Sequence, residues 1–326
     1  MPSRRAFLAA TLASPVLVNP AWAQAPRRPL VIIVGAPPGG TADGVGRVLA
    51  EAMRGELGGT VLVENRGGGS GLEAADRLVR ADPDGQTLLM ANTSVLAINP
   101  SLYPRLPYHP LRDFGFIGRV ATVPIVLAVR RELGVRSVAE LIARARERPG
   151  ALNFGSAGTA TAMHLAGVLF NQMAGTEITH IPFRGSAPAV TNLIGGQGLD
   201  MMFEPASTLL EHIGRGTLVA LAVADDRRAA SLPDVPTMAE AGLTGYRATQ
   251  YFGLVAPAAT PEPMLEGLSD AMDRGLAARP ARERLAAIGA EPATSSPAEL
   301  RRFVTEEIPR WRELVRISGA ALDGGG

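Results

Sequence analysis

Val31-Ile32-Ile33-Val34-Gly35-Ala36-Pro37-Pro38-Gly39-Gly40-Thr41-Ala42-Asp43 is an apolar strand that runs into a loop of Gly, Pro and Thr, and helical spacing follows to about Gly55. The same design recurs at Leu152-Asn153-Phe154-Gly155-Ser156-Ala157-Gly158-Thr159-Ala160-Thr161, continuing as a helix to about Phe170. A loop of this kind leaves backbone N–H groups pointing at whatever lies in front of the helix, which makes a cradle for carboxylate or phosphate. Two cradles in one chain predict a small anion held from both sides. Neither loop shows an obvious nucleophile–base pair, so binding is expected rather than chemistry.

Outward from the first loop, Val61–Val63 and Thr87–Ala91 read as further strands, with a helix of Ala74, Ala75, Leu78 and Val79 between them. This β-α-β-α-β alternation predicts a parallel sheet covered by helices. Gly44 and Gly46 weaken the first helix by roughly 1 kcal/mol each relative to Ala. The apolar stretch Val120–Val129 is long enough to cross between lobes. A second alternating set follows: a helix opened by Ser137 and Glu140, the second cradle, strands at Thr179–Phe183, Leu199–Phe203 and Leu218–Val223, and a short helix capped by Ser186. The C-terminal part is helical. Ser296-Pro297-Ala298-Glu299 is a capping box opening a long apolar stripe, in which Pro309 should introduce a kink.

Composition removes several classes of chemistry. The 326-residue chain is 46% hydrophobic and 19% charged, with 32 basic against 31 acidic residues, the balance of a globular protein without a nucleic-acid or membrane-surface bias. It has no cysteine and no lysine, which excludes thiol catalysis, disulfides, Schiff-base chemistry and a Walker A lysine. The four histidines have no metal-ligand spacing, so neither a metal nor a cofactor is expected. A G-x-S-x-G elbow is absent; Gly68-Gly69-Ser70-Gly71-Leu72 fails at its last position, which counts against an α/β hydrolase. Residues 1–23 read as an export signal: Arg4-Arg5 with Phe7-Leu8, an apolar run to Val18, and Ala21-Trp22-Ala23 before a cleavage at Gln24. The arginine pair fits a twin-arginine signal, and an ordinary secretory signal is the alternative. Cleavage leaves 30 basic against 31 acidic residues, outside the cytoplasm and not inserted in the membrane.

The candidate ligand-binding residues follow from the two cradles and from the carboxyl ends of strands, where α/β sheets hold ligands. In the first loop they are Pro38, Gly39, Gly40, Thr41 and Asp43. In the second they are Gly155, Ser156, Ala157, Gly158, Thr159 and Thr161, with His164 one turn into the helix. Asn92 and Ser94 follow a strand end. For the hydroxyls, helix capping competes with ligand contact, and for Asp43 a place in the first helical turn does. Arg184 follows a strand and could pair bidentately with a carboxylate, or lie on the surface. Glu204 would repel an anion, so it either meets a ligand amine or hydroxyl or turns into the lobe.

A longer series of motifs carries a family resemblance. It comprises Pro37-Pro38-Gly39-Gly40-Thr41-Ala42-Asp43, Val63-Glu64-Asn65-Arg66, Asp82-Pro83-Asp84-Gly85, Asn153-Phe154-Gly155-Ser156-Ala157-Gly158-Thr159, Pro182-Phe183-Arg184-Gly185-Ser186-Ala187-Pro188, Leu232-Pro233-Asp234-Val235-Pro236-Thr237 and Phe252-Gly253-Leu254-Val255-Ala256-Pro257. In this order they resemble the Bug (TctC) family of periplasmic solute receptors, linked to tripartite tricarboxylate transporters. The resemblance implies a two-lobed periplasmic-binding-protein fold (Venus-flytrap, type II) of α/β class with a parallel-rich sheet in each lobe. Lobe I would be residues 24–126 and 248–326, and lobe II residues 127–247, inserted; Val120–Val129 and the segment around Tyr251–Ala256 would be the crossings. It also implies a small carboxylate ligand gripped by backbone amides and bound water, and membrane transporter subunits as partners. A monomer is expected, with no catalytic role. A signalling receptor with the same ligand site is the alternative. The chain departs from the pattern at Phe183-Arg184, where Tyr-Lys is common, and at Glu204, where Asp is commoner.

Overall fold

The structure is a computed structural model that describes residues 28–67 and 69–320; the export signal expected over residues 1–23 lies outside them. The chain begins with β1 (Leu30–Val34), α1 (Thr41–Leu57), β2 (Val61–Asn65), α2 (Leu72–Val79) and β3 (Thr87–Asn92), the alternation that the sequence predicts. Short helices α3 (Asn99–Leu102) and α4 (Pro110–Asp113) lead to β4 (Phe114–Val123) and β5 (Ile125–Arg130). Next come α5 (Val138–Glu147), β6 (Asn153–Ser156), α6 (Ala162–Ala174), β7 (Thr179–Pro182), α7 (Ser186–Ile194), β8 (Met201–Pro205), α8 (Ala206–Gly214) and β9 (Leu218–Val223). Finally β10 (Gln250–Pro257), α9 (Glu262–Ala277), α10 (Arg279–Ala287), β11 (Glu291–Pro292) and α11 (Pro297–Ser318) complete the described chain.

Two sheets result, ordered β11-β4-β10-β3-β1-β2 and β7-β6-β8-β5-β9. Each has a parallel trio: β2, β1 and β3 in the first sheet, and β7, β6 and β8 in the second. The antiparallel partners are β10 in the first sheet and β5 in the second. Both strands start where the chain has just come over from the other sheet, so they run against the strands that end there.

The expected single strand Val120–Val129 is broken at Pro124. Proline has no N–H for a ladder, and its carbonyl instead accepts from Ala206 N at 2.8 Å. The return crossing lies in the connector between Val223 and Gln250, just upstream of where the sequence suggested it, and β10 belongs wholly to the first sheet. Register fixes the consequence. Val123 pairs with Gln250, Ile125 with Pro205, and Val126 with Val223. The carboxyl ends of β1–β4 therefore face those of β6–β9, with Pro124 and the return connector between them.

Helix packing holds this arrangement. Gly46 is needed in α1 because a Cβ there would lie 2.6 Å from Val34 Cγ2; the helix-weakening glycine permits close approach to the sheet. Helix α11 opens with the expected capping box of Ser296 and Glu299 and continues unbroken through Pro309. Its fully buried Trp311 joins a core that includes Ile33 and Leu89 of the first sheet and Phe154, Phe170 and Phe203 of the second unit. One apolar core thus underlies both sheets. At roughly 1.5–3 kcal/mol per large side chain, such burial outweighs the lost Pro309 hydrogen bond.

Candidate functional site

Glycine and one carboxylate shape the first loop. Gly40 is the N-cap of α1, in extended conformation and with no side-chain cap. Gly39 has φ +90°, a region that favours glycine, and its N–H donates to Asp43 Oδ2 at 2.9 Å. Arg47 Nε donates to the same oxygen at 3.0 Å. Burial alone would raise the Asp43 carboxyl, but bonds from Arg47, Gly39 and Asn65 together hold it below its ordinary value. Asn65 Nδ2 also ties the Ala36 carbonyl at 3.2 Å. Gly39 and Asp43 are therefore joined to each other. The amides of Gly40, Thr41, Ala42 and Asp43, in the first turn, have no intrahelical acceptor. Pro38, Gly39 and Gly40 are exposed.

Side chains shape the second loop. Thr161 is the N-cap of α6: its Oγ1 accepts from His164 N at 3.3 Å and donates to Gly158 O at 2.8 Å. Ala160, a non-glycine residue at φ +62°, donates its N–H to His164 Nδ1 at 3.0 Å. The Ser156 hydroxyl is fully buried, donates to Gly158 O at 2.9 Å and accepts from Gly158 N at 3.2 Å. His180 Nε2 lies 2.7 Å from the same oxygen. Which of the two donates is set by the imidazole tautomer. This serine–histidine contact, invisible in the sequence, is a brace. His164 and His180 stack with centroids 3.9 Å apart. Burial holds each imidazole down at about 4, with the neighbouring His180 adding to the effect at His164. Among the described residues, no acceptor engages the amides of Ala157 and Thr159. The first-turn amides of Ala162 and Met163 have no intrahelical acceptor either.

The remaining candidates sit on the same edges. Asn92 ends β3, and its Oδ1 accepts from Val95 N at 3.0 Å, leaving its amide nitrogen free to donate. Ser94 opens the wide helical turn Ser94–Ile98 and is half-buried. Arg184 is exposed, between β7 and α7. Gly155 is buried within β6. Glu204 lies at the end of β8, fully buried, and neither carboxyl oxygen has a hydrogen-bond partner among the described residues. Burial pushes it up to about 7, a shift that the Ser186 hydroxyl opposes without cancelling.

Three features escaped the sequence reading. Ser186 is the first residue of α7 rather than its cap; Gly185, at φ 112°, is the N-cap, and no side chain caps the helix. Helix α8 likewise starts without a side-chain cap, so Ser207 and Thr208 present open amides. Ser207 Oγ also lies 3.4 Å from Thr41 Oγ1, a direct contact between the two facing edges. The strand-then-helix order at Leu199–Phe203 could have pointed to this third loop. No sequence signal pairs His180 with Ser156. Among the described residues, no group of three or more His, Asp or Glu is arranged to hold a metal ion, and no helix is long and apolar enough to cross a membrane.

Comparison with known proteins agrees with this architecture. Residues 45–319 match the model of the tripartite tricarboxylate transporter family receptor. Protein BugT of Bordetella pertussis is 38% identical over 299 residues, covering 91% of each chain. An R. palustris protein solved with adipate superimposes with a TM-score of 0.81 at 33% identity, covering 91% of this chain and 99% of its own. MatC from Rhodopseudomonas palustris with bound malate gives a TM-score of 0.75 at 31% identity, covering 89% and 99%. The fold is the two-lobed one of periplasmic solute-binding proteins.

Proposed function

Because the chain belongs to the tripartite tricarboxylate transporter receptor family, a family of solute-binding proteins, we propose that it captures a small carboxylate between its two sheets and delivers it to the membrane subunits of such a transporter. The observation that carries this reading is the convergence of helix starts on the facing strand ends. Helices α1, α7 and α8 begin there with no side-chain cap, and their partial positive ends favour an anion. In this reading the first loop contributes the amides of Gly40 and Thr41, and the second those of Ala157 and Thr159. Asn92, Ser94 and Arg184 complete the rim, while Ser156, Thr161, His164 and the Gly39–Asp43 pair hold the loops in shape.

Each charge-assisted hydrogen bond contributes roughly 1.5–3 kcal/mol net, so four give about 6–12 kcal/mol before ordering costs. Micromolar binding requires about 8 kcal/mol. Donors on both edges reach one ligand only when the lobes are close, so the ligand shifts the population toward closure. The lobes are residues 24–126 with 248–326, and residues 127–247; residues 1–23 direct export to the periplasm. Short dicarboxylates are the first probes, since relatives hold adipate and malate. Thermal unfolding of residues 24–326 with each acid at a hundredfold excess over Kd should show about 2.7 kcal/mol of added stability. For a chain of this size that is a rise of several degrees. Indifference of the melting temperature to every carboxylate tried, at millimolar concentration, sinks the reading.

A further inference from the structure

A second cavity, of about 150 Å³, lies where the return connector meets β4 and α11. Four guanidiniums line it: Arg119 from β4, Arg227 and Arg247 from the connector, and Arg310 from α11. Its acids are already partnered. Glu307 accepts from Arg247 at 2.6 Å and Arg310 at 3.2 Å through one oxygen, and from Trp311 Nε1 at 2.8 Å through the other. Asp226 lies 3.7 Å from Arg247, and Asp225 accepts from the Asp226 amide at 2.7 Å.

The donors are what is left over. The half-buried Arg119 stacks over the Phe303 ring at 5.0 Å and gives its Nε to the Ala293 carbonyl, but it has no ion-pair partner among the described residues. Burial and then the neighbouring charge of Arg227 hold it below the ordinary guanidinium value, against the opposing pull of Glu299 and Asp225. Tyr251 lines the same cavity, is 1% exposed, and its hydroxyl has no hydrogen-bond partner among the described residues. A buried hydroxyl left unpaired is costly, and a donor beside a cation without an ion pair of its own is satisfied best by an acceptor carrying negative charge.

We propose that this cavity is a binding site for a small monoanion of halide size, held by Tyr251 Oη and the Arg119 guanidinium. The site is separate from the carboxylate loops, being closed by the connector and α11 rather than by the helix starts. An anion there ties the connector, which must adjust when the lobes move, to the first sheet. The inference does not depend on the identity of the cleft ligand.

Bromide is the probe. Crystals of residues 24–326 soaked in sodium bromide should give an anomalous peak within hydrogen-bonding distance of Tyr251 Oη and Arg119. In solution, the melting temperature of the wild type relative to that of the Tyr251→Phe and Arg119→Gln variants should rise saturably with sodium bromide, a difference that cancels screening and general salt effects. Tyr251→Phe keeps the ring against Phe303 and removes only the donor; it should weaken the bromide effect at least fivefold. Arg119→Gln should abolish it. A cavity filled by water alone, a peak only at other surfaces, or a bromide response equal in wild type and both variants overturns the proposal.

Discussion

The two loops at the facing strand ends are shaped by opposite means. The first is built from residues that have almost nothing to contribute but backbone. Gly39 takes a positive φ at little cost, Gly40 caps nothing, and a single carboxylate, Asp43, pins the turn. The second places Ala160 at φ +62° and holds it there with the His164 ring, which in turn stacks on His180 and Phe154. Exposure follows the same division: Pro38, Gly39 and Gly40 are exposed, whereas Ser156 and His164 are buried. A loop can present free amides because glycine shapes it or because buried side chains do. The second way makes the loop sensitive to packing, and its response to pH comes from imidazoles rather than from a carboxylate such as Asp43.

The largest expected effect lies in the second loop. His164→Ala removes the acceptor of a buried amide, an aromatic stack and a packed side chain together. It should cost about 2–4 kcal/mol in urea unfolding. Asp43→Asn in the first loop weakens the contact to Gly39 and the pairing with Arg47 but leaves the packing. It should cost about 1 kcal/mol. Equal losses would mean that the two loops are braced alike.

Acidity sharpens the contrast. His164 and His180 are held down to about 4 in the folded protein, against about 6.5 when unfolded. The unfolded chain thus takes up protons first, and the stability these rings contribute is complete above about 6.5 and lost as pH falls toward 4. Glu204 works in the opposite direction. Its carboxyl is raised to about 7, so its contribution is complete below the ordinary value near 4.5 and disappears as pH rises through 7. The two windows overlap between about 4.5 and 6.5 and oppose each other there, so stability rises with pH less steeply than the two imidazoles alone would make it. Glu204→Gln removes the opposing contribution and should gain roughly 2–3 kcal/mol relative to wild type between pH 4.5 and pH 7.5. A difference between variant and wild type that is the same at both ends of that range would show that Glu204 is not buried as a neutral acid.

Much of this was legible in the residues, and the illegible part has a common cause. Strand, glycine-rich loop and helix are local patterns, so both strand-loop-helix units, the alternating elements and the Ser296 capping box could be read directly. The interlobe geometry could not. The contact between Thr41 and Ser207 joins residues 166 apart in the chain, and His180 meets Ser156 through strand pairing. Pro124 was a readable break inside an apolar run, but what it breaks, one sheet from another, depends on registers that no local pattern encodes. Pro309 is the converse case. The local rule marks a weak point, yet the helix stays continuous through Pro309, with Trp311 and its neighbours buried beyond it.

The smallest expected effects come from exchanging the two strategies. Gly39→Ala places a side chain at φ +90°. Nothing lies within 4 Å of the added Cβ, so the loss, about 1–2 kcal/mol, is backbone strain alone. Ala160→Gly removes strain of that kind from the second loop but frees the unfolded chain and deletes a methyl buried in the core; these effects nearly cancel, leaving a change within about 0.5 kcal/mol. Chemical unfolding compares the two variants, with Gly39→Ala reporting conformation alone. If Ala160→Gly proved as costly as Gly39→Ala, the strained residue would have to be held by something beyond the His164 hydrogen bond. The division between a backbone-shaped and a side-chain-shaped loop would then fail at the residue that defines it.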